Sequence, residues 1–529
     1  MGQRSSPMGD NPSPESPSNS AQQVDDFTRH LQNLTLPSPN YPPHSGLNPL
    51  SPMLSVSSAS NLASPFYGSE VSDDEDFRRT RPRSNTAGLD FMELELLCHY
   101  LTHTSRIIPF DKDDLYALHV GIPNLAFRSK PLMDSILAMA AVCKCHDLEK
   151  QQPDTPERTA QIRQLLAFAD EHHQSSLRQI QAEIPLSHDY DHVLANSTLM
   201  VLYGCASQCL RIRLTENESN MDNLPLEFIP TQSQWISLIR ATHMAYTGLL
   251  NDQPGVVHIR EVQQTGSPVN DLASVPSQLN QDDDAFIAED GPTKETKEQF
   301  FPLLAATCGS ALAKLRAKAQ IMAETPSREL AGLGERQALG INNETGFQAC
   351  FAALEVLNHV MGEVFSIRGS GIPTAASSDW DHPLGRLVEV SPWLRRYLSK
   401  VTMVEPTAPL RRTVTAFLNR VPVEYLTLVQ MTLDLIPVHH EADQGGSWDD
   451  ADPVQQLALD IYAHWLVMVM LLDGVWWMGG IGAWELRRVV TFMRNRGWLD
   501  TPVVIGESWW PGNMYNVGRE LRNHANSAW

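Results

Sequence analysis

The chain has 529 residues, long enough for two or three average domains or one large helical one, and carries 40 Lys plus Arg against 62 Asp plus Glu, a formal charge of -22. Such an acidic balance argues against a broad cationic face that grips duplex DNA, so a nucleic-acid contact has to come from a small patch or from a partner. Seven cysteines, scattered and odd in number, make no disulfide framework and are read as thiols of a reducing compartment.

The opening MGQRSSPMGDNPSPESPSNS holds no apolar stretch that would serve as the core of a signal peptide. MGQRSS fits the loose pattern for myristoylation at Gly2, which also occurs often by chance. Residues 1–88 are rich in Ser, Pro and Asn and poor in large apolar side chains, which predicts a disordered tail. Within it Val24, Phe27, Leu31 and Leu34 fall on one stripe of a short helix, either a segment that folds into a partner's groove or a chance cluster. The tail ends where an acidic block (Asp73, Asp74, Glu75, Asp76) meets a basic one. Arg78, Arg79, Arg81 and Arg83 read as a nuclear-import signal, and Ser84 and Thr86 as basophilic phosphorylation sites whose phosphate would neutralise the cluster. The alternative is an ordinary solvated charge run.

From Leu89 onward apolar residues recur at helical spacing, beginning with Met92, Leu96, Leu97 and Tyr100, then Leu132, Met133, Ile136, Leu137, Ala140 and Ala141 behind Pro131. Further helices are predicted at 160–182, 193–210, 233–250, 301–323, 345–367, 392–400, 410–435, 453–472 and 484–495. Alternating β-branched runs are nearly absent, so the expectation is an all-α fold with one large helical regulatory domain over 89–529. Two stretches read as loops, the acidic 251–292 and the polar 441–453. The most apolar run, Trp465 to Leu472, is far shorter than the roughly 20 residues that cross a bilayer and reads as a core helix, with no membrane span.

No constellation supports a catalytic assignment. Asp282, Asp283 and Asp284 resemble the aspartate-rich magnesium motif of terpene cyclases, but they fall in a predicted loop with no matching second motif. Cys143, Cys145 and His146 give C-x-C-H, and Cys205 and Cys209 sit one helical turn apart; lying inside apolar helices, they read as buried thiols rather than zinc ligands. His172 and His173, and His439, His440 and Glu441, lack an H-E-x-x-H spacing and read as surface groups. Gly369, Ser370 and Gly371 form no nucleophile elbow, and Gly479, Gly480 and Gly482 lack the strand and lysine of a phosphate loop and are expected to let two helices meet closely. No cofactor or metal site is assigned.

Seven of the twelve tryptophans fall between Trp465 and Trp510, interleaved with methionines and glycines. Two readings stay open, an adaptable apolar pocket with indole N–H groups to orient a polar end, or a bulky core. On the first, the ligand contacts are Leu472, Trp476, Trp477, Met478, Trp484 and Trp509, with Gly479, Gly480 and Gly482 as a mobile wall.

Several stretches together resemble a known family: LDFMELELLCHYLTHTS, IPNLAFRSKPLMDSILAMAAVCKCH, EHHQSSLRQI, NSTLMVLYGCASQCL, QWISLIRATHMAYTGLL, the 457–472 helix, GVWWMGGIGAWELRRVV and SWWPGNMYNVG. Discontinuously over 89–525, they resemble the regulatory domain of fungal binuclear zinc-cluster transcription factors of the sterol uptake control type. The resemblance implies an all-α domain that dimerises or pairs with a DNA-binding regulator, senses a sterol-like molecule near its C-terminal helices, and divides between nucleus and cytoplasm. One departure is large, because no cysteine precedes Cys98 and the zinc cluster of that family has no counterpart. Direct DNA recognition is therefore not carried over, and the chain reads as an effector-only paralogue, a partner subunit or a product lacking its first exon. The alternatives are an enzyme of secondary metabolism that reuses the helical cavity, and a pure interaction scaffold. A committed acid or metal cluster in an apolar cavity would favour the enzyme, a mainly apolar cavity with a few polar groups the sensor, and no cavity the scaffold.

Overall fold

The computed structural model describes residues 89–151, 155–183, 190–217, 230, 234–251, 291–324, 343–366, 384–404, 409–436, 452–499 and 508–527. The predicted tail with its helical stripe, Arg78, Arg79, Arg81, Arg83, Ser84 and Thr86, the aspartates at 282–284, the histidines at 439–440, Gly369 to Gly371 and most of both predicted loops lie outside these residues. Among the described residues there are helices and turns and no strand, so the fold is all-α.

The first helix, α1 (Phe91–His99), starts at Asp90, whose Oδ1 accepts from the Glu93 amide at 2.8 Å while Glu93 Oε2 accepts from the Asp90 amide at 2.8 Å. This reciprocal cap satisfies two backbone donors that a helix start leaves open. A π turn (Tyr100–Thr104) continues it, and a short helix α2 (Lys112–Tyr116), capped by Asp111, follows. Then come α3 (Lys130–Glu149), α4 (Pro156–Glu183), α5 (Tyr190–Asn217) and α6 (Gln234–Asn251). The second half holds α7 (Phe301–Glu324), α8 (Asn343–Ser366), α9 (Pro392–Val401), α10 (Leu410–Arg420), α11 (Val423–Asp434), α12 (Pro453–Val469), α13 (Ile481–Asn495) and α14 (Trp510–Ser527).

Two of these helices are buried on nearly every side and act as axes. Around α3, buried from Pro131 to His146 except at Lys144, pack α1, α4 and α5. Around α12, buried almost throughout, pack α8, α10, α11, α13 and α14. Most buried apolar residues from Leu96 to Met514 form one continuous core, with Ile180, Met200 and Leu238, and Ala241, in small clusters beside it. Trp465 ties the second half to the first, because its indole lies 5.9 Å from Trp235 of α6 and 5.3 Å from Phe417 of α10, and its Nε1 donates to Val414 O at 2.9 Å. The helices Tyr190–Glu216 and Pro453–Leu472 are long and apolar enough to span a membrane, but both are buried inside the fold along most of that length.

Three expectations change. The single helix predicted over 410–435 is two, because Pro422 has no amide to bond back to Leu418 and its ring would crowd that carbonyl. Leu418 O instead accepts from Arg240 Nη1 at 3.2 Å. The predicted helices stop at 495, whereas α14 follows, with Pro511 in its first turn, where proline is tolerated. Finally, His172 and His173 are not surface groups. His172 Nδ1 lies 3.0 Å from Asp134 Oδ1, and His173 stacks on Tyr203 at 4.2 Å.

Burial holds three histidines well below the ordinary value of 6.5: His146 at about 3, helped by Arg213, and His173 and His243 each at about 4, the latter helped by Arg240. Below about pH 6.5 the unfolded chain binds protons at these positions that the folded chain refuses. Stability therefore falls as pH drops from about 6.5 towards about 4 and does not depend on them above that window. Melting temperature measured from pH 7.5 to pH 5 should decline through the lower half of that range; a flat profile would show the three rings to be solvated.

Candidate functional site

A cavity opens where α2, α5, α6, α9 and α10 converge, and about 720 Å³ of unfilled space lies between its walls, counting the mouth. Val201, Leu202, Ile239, Leu118 and Val401 supply apolar walls, with Thr198, Thr242, Thr402 and Thr415 between them. Each of these threonines spends its hydroxyl on its own helix, donating to the carbonyl four residues back: Leu194, Leu238, Leu398 and Arg411. The lining is therefore more apolar than its composition suggests.

Charge gathers in one place. Asp114 is set at the start of α2 by Asp111, whose Oδ1 accepts from the Asp114 amide at 2.9 Å, and its own Oδ2 accepts from the Phe110 amide at 3.0 Å. Both oxygens also meet tandem arginines of α10, Oδ2 with Arg411 Nη2 at 3.6 Å and Oδ1 with Arg412 Nη2 in a close hydrogen bond. All three side chains are buried. Lys400 at the end of α9 bridges Asp111 at 3.1 Å and Asp113 at 2.6 Å, which neutralises the neighbouring acids. The Arg411 guanidinium also lies 5.8 Å from the Phe110 ring and 5.9 Å from the Trp477 ring. The Tyr397 hydroxyl, fully buried beside Asp114, is held protonated by burial and by that carboxylate.

Arg412 Nη1, Trp477 Nε1 and Asn419 Oδ1 are cavity atoms buried without a hydrogen-bond partner among the described residues, with Arg412 Nη1 standing 4.0 Å from Asp111 Oδ2. Two are donors and one is an acceptor. Buried polar atoms left so are costly, and a ligand group that both donates and accepts would relieve that cost.

Of the nine residues predicted as contacts, Trp477 lines this cavity and the others are dispersed. Leu472 and Met478 are core residues. Trp476 stacks on His146 at 5.1 Å, Trp484 lies under the Arg488 guanidinium at 4.7 Å, and Trp509 donates its Nε1 to Asp460 Oδ1 at 2.8 Å on α12. These three indoles are partly buried and pack against the core. The glycines are not a loose wall. A Cβ at Gly482 would lie 2.7 Å from Met470 N, and one at Gly479 2.6 Å from Asp473 O, so both mark close backbone approach as α12 turns into α13. Gly480 caps α13 at φ 96°, a conformation open to glycine. Cys209 of α5 pins this turn by donating its Sγ to Gly479 O at 2.7 Å, and burial holds that thiol up at about 11.

The cavity residues Asp114, Arg411 and Arg412 were missed in the sequence. Their signal was faint: two adjacent arginines inside an otherwise amphipathic helix, and three acids in DKDD some 300 positions away. No protein-family model, curated protein or solved structure matches the chain.

Gly482, held by close backbone, and Gly480, held by its positive φ, place different demands on a substitution. Gly482→Ala forces a methyl into the Met470 backbone and should cost about 1–3 kcal/mol, the range for overpacking. At Gly480 a Cβ meets only Ile212 Cγ2 at 3.9 Å, so Gly480→Ala or Gly480→Asp should cost only backbone strain, about 1–2 kcal/mol, and leave the cavity intact. Urea midpoints of the variants test this. A Gly482→Ala variant as stable as the parent would mean that the α12 to α13 contact yields.

Proposed function

We propose that the chain is a transcriptional regulator or co-regulator whose helical domain binds an apolar small molecule, sterol-like in bulk, with one hydrogen-bonding end. The cavity beneath α5, α6 and α10 carries this reading, since apolar walls with a few convergent polar groups are what small-molecule sites require. Arg412 Nη1, Trp477 Nε1 and Asn419 Oδ1 match a hydroxyl, which accepts from one and donates to another. The resemblance to sterol-responsive fungal regulators supplies the output. The ligand site moves from the C-terminal tryptophans to this cavity, with Trp477 common to both.

The same cavity gives the enzyme reading little support. Asp114, the one carboxylate among its described lining residues, accepts from the Phe110 amide and Arg412 Nη2 and pairs with Arg411 at 3.6 Å, so both its oxygens are tied to structural partners rather than offered to a substrate. DNA contact would come through a partner, either a second copy or a zinc-cluster regulator, and nuclear entry through Arg78, Arg79, Arg81 and Arg83, tuned at Ser84 and Thr86, with a cytoplasmic pool.

Titration of the full chain with sterols and other hydroxylated apolar compounds, followed by melting temperature and tryptophan emission, tests binding. At least one compound should raise the wild-type melting temperature, and Thr198→Leu, which fills the α5 wall, should weaken it by about tenfold or more. No response from any compound would remove the sensor reading; binding unchanged in Thr198→Leu would place the ligand elsewhere. Fused whole to a heterologous DNA-binding domain, the chain should drive a reporter in a ligand-dependent way.

A further inference from the structure

Outside the cavity lining, four side chains from two facing helical segments bring their donor atoms together. His99 ends α1 and His103 lies in the π turn that follows; Cys143 and Asp147 lie on α3. Each pair is spaced four residues apart, which puts both members on one face of its segment. One nitrogen from each ring, the Cys143 sulfur and an Asp147 oxygen all lie within 4.8 Å of one another. We propose that these four residues bind a divalent zinc-class cation that clips α1 to α3.

The donor set selects the ion. Two imidazoles, a thiol and a carboxylate suit zinc, whereas magnesium and calcium prefer sets made of oxygen. Ligand distances of about 2.0–2.3 Å need the four groups drawn inward by small rotations, with no rearrangement of backbone. The second shell is in place: Thr104 Oγ1 lies 3.0 Å from His99 Nδ1, leaving Nε2 on the inner side, 3.5 Å from Asp147 Oδ2. His103 Nε2 is 3.2 Å from the same oxygen. An outer partner that fixes the ring and its tautomer is the usual companion of a metal-bound histidine.

One further feature fits a site rather than a plain ion-pair cluster. The set has a dry floor and an open lip: Cys143 is fully buried, while His103 and Asp147 are 44% and 35% exposed, which gives the ion an entry path. Binding displaces the Cys143 thiol proton to solvent as the metal–sulfur bond forms, so the site loads at neutral pH and empties in acid. Burial holds the metal-free thiol up at about 12. The neighbours in the C-x-C-H motif take no part. Cys145 Sγ faces Ile162 O at 3.7 Å, and His146 meets Arg213 and Trp476.

Cobalt(II) added to the reduced, chelator-treated full chain is the probe, with zinc as competitor. One equivalent should give the intense visible bands of tetrahedral cobalt and a near-ultraviolet thiolate-to-cobalt band, both abolished by zinc. Cys143→Ser should lose the thiolate band, and His103→Ala, an exposed position whose loss leaves the fold intact, should weaken binding by more than about tenfold. Cys98→Ser, at an exposed thiol outside the set, should change neither. Zinc should raise the melting temperature of the wild type but not of His103→Ala. Absence of tetrahedral bands in the wild type, or a thiolate band that survives Cys143→Ser, overturns the proposal and leaves the cluster as ion pairs around a buried thiol.

Discussion

Asp114 and the arginine pair 411–412 impose the constraint on which the cavity depends. Two guanidiniums are removed from water on a helix whose inward face is otherwise mostly apolar, Thr413 and Asn419 apart, and isolated charges in such a place would cost several kcal/mol each. The only economical solution is a partner carboxylate brought from the N-terminal segment, and α2 exists as a short capped turn that presents it. Lys400 then balances Asp111 and Asp113, so the acids of that turn are matched from α9 and α10 together. The charge cluster thus fastens the first helical unit onto the second and defines one end of the space between them.

A second constraint acts at the other side of Trp477. Its position follows from the turn between α12 and α13, where Gly479 and Gly482 permit backbone contacts that a Cβ would forbid, and where Cys209 of α5 binds the Gly479 carbonyl. Asp473 adds a bond to the start of the α7 region by accepting from the Thr293 amide at 2.8 Å and from Thr296 Oγ1 at 2.6 Å. Rigid placement of one indole in this way is compatible with ligand binding in a preformed cavity and does not require a moving glycine wall.

Helical periodicity made the all-α class and most helices legible, because apolar residues at spacings of three and four report burial directly. Length and caps did less well. Pro422 divides one apolar run into α10 and α11, and α14, with Pro511 in its first turn, lies beyond the predicted helices. The functional positions were harder to read for a physical reason. A cavity is a property of what several helices fail to fill, and an ion pair between residues 114 and 412 has no local signature. Tryptophan density near the C-terminus pointed to bulk, and most of that bulk fills core. The pairing of His99 and His103 with Cys143 was equally hidden, since C-x-C-H drew attention to neighbours that face other helices.

If the buried charge cluster shapes the cavity, Asp114 and Arg412 must act as a unit. The direct measurement is a double-mutant cycle on unfolding free energy with Asp114→Asn, Arg412→Gln and the pair. Asp114→Asn strips both guanidiniums of their shared carboxylate and should cost about 3–5 kcal/mol, whereas Arg412→Gln leaves Asp114 paired with Arg411 and should cost about 1.5–3 kcal/mol, the range for a hydrogen bond to a charged group. The double change should cost less than the sum by at least about 1.5 kcal/mol, as coupled sites do. Additive effects would mean that the two residues are independently solvated and that the cavity is closed by something else.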